Sequence, residues 1–127
     1  MEPDTSSGQE TLLDRAVKVW RKAQIVYLTH PRLGRAEARV LVEELARHPE
    51  YESSLVDLLA APSQLVVAYS LMTLELMGSR RLRSLPSDLL TNRSNITLSL
   101  GSFRNGMDLG SLARQVQKRA KKGAVDS

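Results

Sequence analysis

Ser63-Gln64-Leu65-Val66-Val67-Ala68-Tyr69-Ser70-Leu71-Met72-Thr73-Leu74-Glu75-Leu76-Met77-Gly78 is the stretch on which the fold turns. Between Gln64 and Met77 it holds a single charge, Glu75, and apolar residues on nearly every side of a helical wheel. A helix of that kind is buried between several neighbours. Its ends are marked. Pro62 breaks the chain before it, Ser63 can accept from a first-turn amide, and Gly78 can take the left-handed conformation that closes a helix. The apolar run covers only residues 65–77, short of the ~20 residues a membrane-spanning helix needs. A soluble, cytoplasmic protein with no membrane partner is expected, and the polar, acidic start of the chain has no secretory pattern.

Upstream, apolar residues recur at helical spacing from Leu12 to Tyr27, with Asp14, Arg15, Lys18, Arg21 and Lys22 on the other side. Ser7 and Glu10 have capping-box spacing, so the first helix is expected to start there and to end near Thr29, ahead of Pro31. A second helix is expected over 34–47, and a third over 49–60 with Pro49 in its first turn. Downstream of Gly78 come a basic linker, a short helix over 86–91 and a last helix over 108–122. Between them, Ile96, Leu98 and Leu100 alternate with Thr97 and Ser99, a strand pattern. A helix capped at Ser94 is the preferred reading, because an isolated strand has no visible partner. Asn105-Gly106 reads as a turn. The expected organisation is a flexible tail (1–8), one helical-repeat domain (9–122) and a short flexible C-terminal tail (123–127).

Sliding the chain over itself by 31 residues lays Pro31 on Pro62, Glu44 on Glu75, Leu45 on Leu76, Ser53 on Ser84, Leu58 on Leu89 and Leu59 on Leu90. Chance would give roughly two such identities. Helical hairpins repeated at this spacing indicate a stacked array, because one hairpin cannot bury its apolar face alone. The segment from Leu55 through Pro62 and Val66 to Met77-Gly78 resembles the short bacterial HEAT-like repeat of the type associated with phycobilisome lyases. It departs from that pattern at Ala61, where Asp is usual, and at Val67, where Arg is usual. The resemblance implies an all-α fold: a short right-handed α-solenoid of about three helical hairpins, HEAT/armadillo-like. A non-repeat helical bundle is the alternative. A lyase-like activity would follow from the family association alone.

The chain contains no cysteine, which excludes disulfides, thiolate metal sites and cysteine nucleophiles. Its two histidines, His30 and His48, each precede a proline at a helix end, where they serve the last carbonyls. Gly101–Gly106 lacks the Lys-Ser/Thr ending of a phosphate loop, and no nucleophile-elbow pattern occurs. No cofactor, metal site or catalytic residue is therefore expected. Glu43, Glu44, Glu50 and Glu52 read as solvated helix faces. Trp20, Tyr27, Tyr51 and Tyr69 fall in the apolar stripes, and the indole N–H of Trp20 is expected to reach the surface for a partner.

The net charge, 18 − 14 = +4, is unevenly spread. Residues 1–60 carry 8 basic and 10 acidic residues, and residues 61–127 carry 10 basic and 4 acidic. Lys or Arg near a helix C-terminus stabilises it by roughly 0.3–1 kcal/mol, which accounts for part of the C-terminal cluster. Arg80, Arg81, Arg83, Arg114, Lys118, Arg119, Lys121 and Lys122 are the candidate partner-binding residues. The expected function is a non-catalytic protein-interaction or scaffold module with an acidic protein partner. Nucleic-acid binding through the basic half is the alternative, by phosphate contacts, since Phe103 is the only aromatic nearby.

Overall fold

The structure, a computed structural model, describes residues 11–27, 36–100 and 103–126. The expected tail, the Ser7–Glu10 cap, His30 and Pro31 lie outside them. Helix α1 (Leu12–Lys22) starts at Thr11, whose hydroxyl accepts from the Asp14 amide at 3.0 Å. The Asp14 carboxylate accepts in return from the Thr11 amide, completing a capping box. Strand β1 (Val26–Tyr27) follows where the helix was expected to continue. Then come α2 (Glu37–Leu45), α3 (Glu52–Asp57) between two 3-10 turns, and α4 (Gln64–Met77). A 3-10 turn over Arg80–Arg83, α5 (Ser87–Leu90), β2 (Asn95–Leu100), β3 (Phe103–Asp108) and α6 (Leu109–Asp126) complete the order.

Helix α4 has the bounds its sequence predicts. The Ser63 hydroxyl accepts from the Val66 amide, and Gly78 closes the helix at φ 79°. Every residue from Val66 to Leu74 is buried, and α1, α2, α3, α6 and β1 all pack against it. Trp20 of α1 is fully buried and stacks on Tyr69 of α4, with centroids 5.5 Å apart and planes 13° from parallel. Its indole N–H does not reach the surface as expected. It donates to the Ala38 carbonyl of α2 at 3.0 Å, so the donor is satisfied inside the core.

The Tyr69 hydroxyl holds β1 to α4, donating to the Ile25 carbonyl at 2.6 Å and accepting from the Tyr27 amide at 3.0 Å. Burial pushes its pKa up from 10.0 to about 12. A raised folded-state pKa favours the neutral form, so its contribution to stability is complete below pH 10 and is lost as pH rises through about 12. Tyr69→Phe is expected to cost about 1–3 kcal/mol at neutral pH, because Ile25 and Tyr27 lose their partner. Urea titrations at neutral and alkaline pH check this: the gap between wild type and variant should close as pH rises.

The sheet has the order β1-β2-β3. β1 runs parallel to β2, with Val26 opposite Leu98 and Tyr27 opposite Ser99. β2 and β3 are antiparallel, in unbroken register from Asn95↔Asp108 to Leu100↔Phe103. This corrects the all-α expectation, the helix expected over 94–104 and the turn expected at Asn105-Gly106, which lies within β3. Two residues separate Leu100 from Phe103, the length of the commonest hairpin connection. Ile96 and Leu98 are buried against the core, which the alternating pattern required.

The sheet also bears on the solenoid expectation. In a solenoid each unit touches only its neighbours. Here β1 precedes α2 and yet pairs with β2, which follows α5, so the first and last thirds of the chain are joined directly. The identities of the 31-residue shift do not mark equivalent sites. Leu45 is fully buried whereas Leu76 is 51% exposed. Leu59 is buried and its counterpart Leu90 only partly, while Leu58 and Leu89 show the reverse. The architecture is a mostly helical domain around one central helix, with a small sheet on it. No helix among the described residues is long and apolar enough to cross a membrane.

Candidate functional site

Helix α6 carries the largest group of candidate residues. Its buried face is Leu109, Leu112, Ala113 and Val116, spaced to meet α4 and α5. Arg114, Lys118, Lys121 and Lys122 follow at i, i+4, i+7 and i+8, so they share the opposite face, and all four are exposed. No acidic residue occurs in α6 before Asp126. Like charges at i and i+4 destabilise a helix by about 0.2–0.5 kcal/mol per pair. The helix dipole does not offset this. α6 continues past Gly123 to Asp126, and its last turn holds no basic residue. The helix-end account of Lys118–Lys122 therefore fails, and the stripe has no source in helix stability.

The eight candidates do not form one patch. Arg119 lies off the stripe and is engaged by Glu75 of α4 in a two-pronged ion pair, with N–O distances of 2.5 and 2.9 Å. That hydrogen bonding raises its pKa further and makes Arg119 a link between two helices. Arg114 is partly committed. One guanidinium nitrogen donates to the Leu90 carbonyl at the end of α5, and another to the Ser111 hydroxyl at 2.9 Å.

Arg80, Arg81 and Arg83 sit on a 3-10 turn, not in the expected linker. Ser79 caps it, and Leu82 anchors it in the core. Residues three apart eclipse on such a turn, so Arg80 and Arg83 project together and Arg81 elsewhere. Arg81 lines a cleft of about 530 Å³ between the end of α3, α4 and α5, with Asp88, Asn92, Gln64 and Leu89 among its walls. Among the described residues, no ion pair holds Lys118, Lys121, Lys122, Arg80, Arg81 or Arg83.

One residue outside the expected set, Arg93, extends the α6 stripe. Arg93 and Arg114 line one shallow depression with Thr91 and Asp108, and Arg114 lines the next with Ser111, Gln115 and Lys118. Asp108 caps α6, accepting from the Ser111 hydroxyl at 2.7 Å and the Ser111 amide at 3.0 Å. The hydroxyl, then the amide, hold its carboxyl below the usual range. The anionic Asp108 partly neutralises the Arg93 end of the ridge, so its uncompensated charge is at Lys118–Lys122. Sequence spacing could reveal that stripe, but the position of Arg93 depends on how the loop after α5 folds back on α6. No protein-family model matches the chain, and no curated protein or solved structure matches it.

Proposed function

We propose that the chain is a non-catalytic interaction module that takes an acidic protein segment on the exposed face of α6. The carrying observation is the row Arg114, Lys118, Lys121 and Lys122 on one solvent face, with no acidic residue in the helix before Asp126 to neutralise it. Such a row costs helix stability, and opposite charge on a partner removes that cost and speeds association. The resemblance to a HEAT-like repeat enters this reading only for the segment from Leu55 to Gly78, with α3, the Pro62 turn and α4, and not for a stacked array.

The test is a charge reversal read with a labelled polyglutamate peptide. The variant Lys118→Glu/Lys121→Glu/Lys122→Glu is expected to weaken binding at least about tenfold, and added salt should weaken the wild type likewise. A charge-matched variant on α1, Arg15→Glu/Arg21→Glu/Lys22→Glu, should bind nearly as the wild type does. Equal losses in both variants would show that net charge alone acts. Duplex DNA captured in place of polyglutamate, with a steep salt slope, would replace this reading with nucleic-acid binding.

A further inference from the structure

The sheet leaves one long edge open. β3 pairs with β2 on one side, and among the described residues no strand pairs with its other side. The peptide groups on that side can be identified. The Leu109 amide donates to the Ser94 carbonyl at 2.8 Å, so the position one step beyond Asn95↔Asp108 is hydrogen-bonded. Antiparallel pairs alternate between bonded and non-bonded. Phe103, Asn105 and Met107 therefore aim their peptide groups at β2, and Arg104, Gly106 and Asp108 aim theirs at the open edge. Proteins blunt such edges with proline, lysine, bulges or a covering element. β3 has neither proline nor lysine, and its register is unbroken.

We propose that β3 pairs antiparallel with β3 of a second copy of this chain, about a two-fold axis through Gly106. Phase and charge select this register. Only registers that set outward-aimed residues opposite one another make edge hydrogen bonds. Of these, the one centred on Gly106 places Arg104 opposite the partner's Asp108, and the symmetry repeats that pair. Sliding the partner by two residues sets Arg104 against Gly106 in one direction and Gly106 against Asp108 in the other, and both ion pairs are lost. The Asp108 carboxylate already accepts from Ser111 and retains lone pairs for the guanidinium. At the axis, a Cβ added to Gly106 would meet nothing nearer than the Ile96 carbonyl at 4.0 Å, so the site accepts a side chain.

The inference is independent of the α6 reading, and its test is separate. Sedimentation equilibrium on the full chain should give a dimer. Arg104→Glu turns two opposite-charge pairs into like-charge pairs and should raise the dimer dissociation constant roughly tenfold. Because the chain has no cysteine, a single introduced thiol reports the register. Gly106→Cys should cross-link the dimer on mild oxidation, since facing Cα atoms of a bonded pair lie about 5.5 Å apart, within disulfide range. Arg104→Cys should not, because four residues of strand rise hold the two 104 positions about 14 Å apart. A chain that sediments as a monomer overturns the proposal. So does a dimer that ignores Arg104→Glu, or one in which the two cysteine variants cross-link equally.

Discussion

Trp20→Ala is expected to destabilise the chain by about 3–5 kcal/mol, the range for removing a fully buried large aromatic. Trp20 is wholly enclosed, stacks on Tyr69 and donates to the Ala38 carbonyl, so one side chain ties α1 to α4 and α2. Its removal leaves a cavity beside Tyr69, an Ala38 carbonyl without its side-chain donor, and no stacking partner for the residue that holds β1. Domains of this size are stable by about 5–15 kcal/mol, so the variant should sit at the margin of folding. Urea unfolding followed by circular dichroism checks the value, since the substitution removes the only tryptophan. Trp20→Phe separates the contributions. It keeps a ring against Tyr69 and loses the donor, so a smaller loss of about 1–3 kcal/mol is expected.

Gly110→Ala is the second large effect, and its sign runs against local propensity. Alanine in place of glycine within a helix normally gains up to ~1 kcal/mol. Gly110 is buried in the first turn of α6, where its amide donates to the Asn92 carbonyl at 2.7 Å. A Cβ there would lie 2.6 Å from the Leu90 carbonyl oxygen, 2.7 Å from that of Asn92 and 2.9 Å from the Asn92 nitrogen. These are backbone atoms, which cannot swing aside, so α6 must move away from α5. A net destabilisation of about 1–3 kcal/mol is expected. The displacement would also strain the Leu109–Ser94 bond and the Arg114–Leu90 contact, which use the same junction. Thermal unfolding decides the sign: a higher midpoint for Gly110→Ala would contradict the close approach of α6 to this loop.

Glycine 110 shows where the sequence stops speaking. It reads as a weak helix residue, and the need for it comes from a loop about twenty residues upstream (Leu90–Asn92). The same limit applies to the sheet. Val26-Tyr27 fits the helical spacing before it, and its partner, Leu98-Ser99, is distant in the chain. The alternation of β2 is visible in Ile96 and Leu98. Its partner is not, because Arg104-Asn105-Gly106 in β3 lacks strand propensity. Where the cause is local, the reading holds: Ser63, the all-round apolar run and Gly78 define α4 at both ends. The 31-residue shift misled because leucine is common in every helix here, and identity at Leu45 and Leu76 says nothing of their opposite burial.

The candidate site divides the same way. Lys118, Lys121 and Lys122 were legible as a face, since helical spacing places them there whatever the rest of the chain does. The roles of Arg119 and Arg114 were not, because Glu75 and the Leu90 carbonyl reach them only through the packing of α6 on α4 and α5. Arg80, Arg81 and Arg83 looked like one basic linker. The burial of Leu82 turns that segment into a 3-10 turn, which sends Arg81 toward the cleft and away from its neighbours.

The most direct test of the basic face of α6 as the binding surface is an amide-resolved NMR titration of the full chain with polyglutamate. Shifts concentrated at residues 114–122, diminishing as salt is added, with α1 and α2 unmoved, are the expected result. Shifts centred on the cleft beside Arg81 or on α1, or none at all, would contradict it.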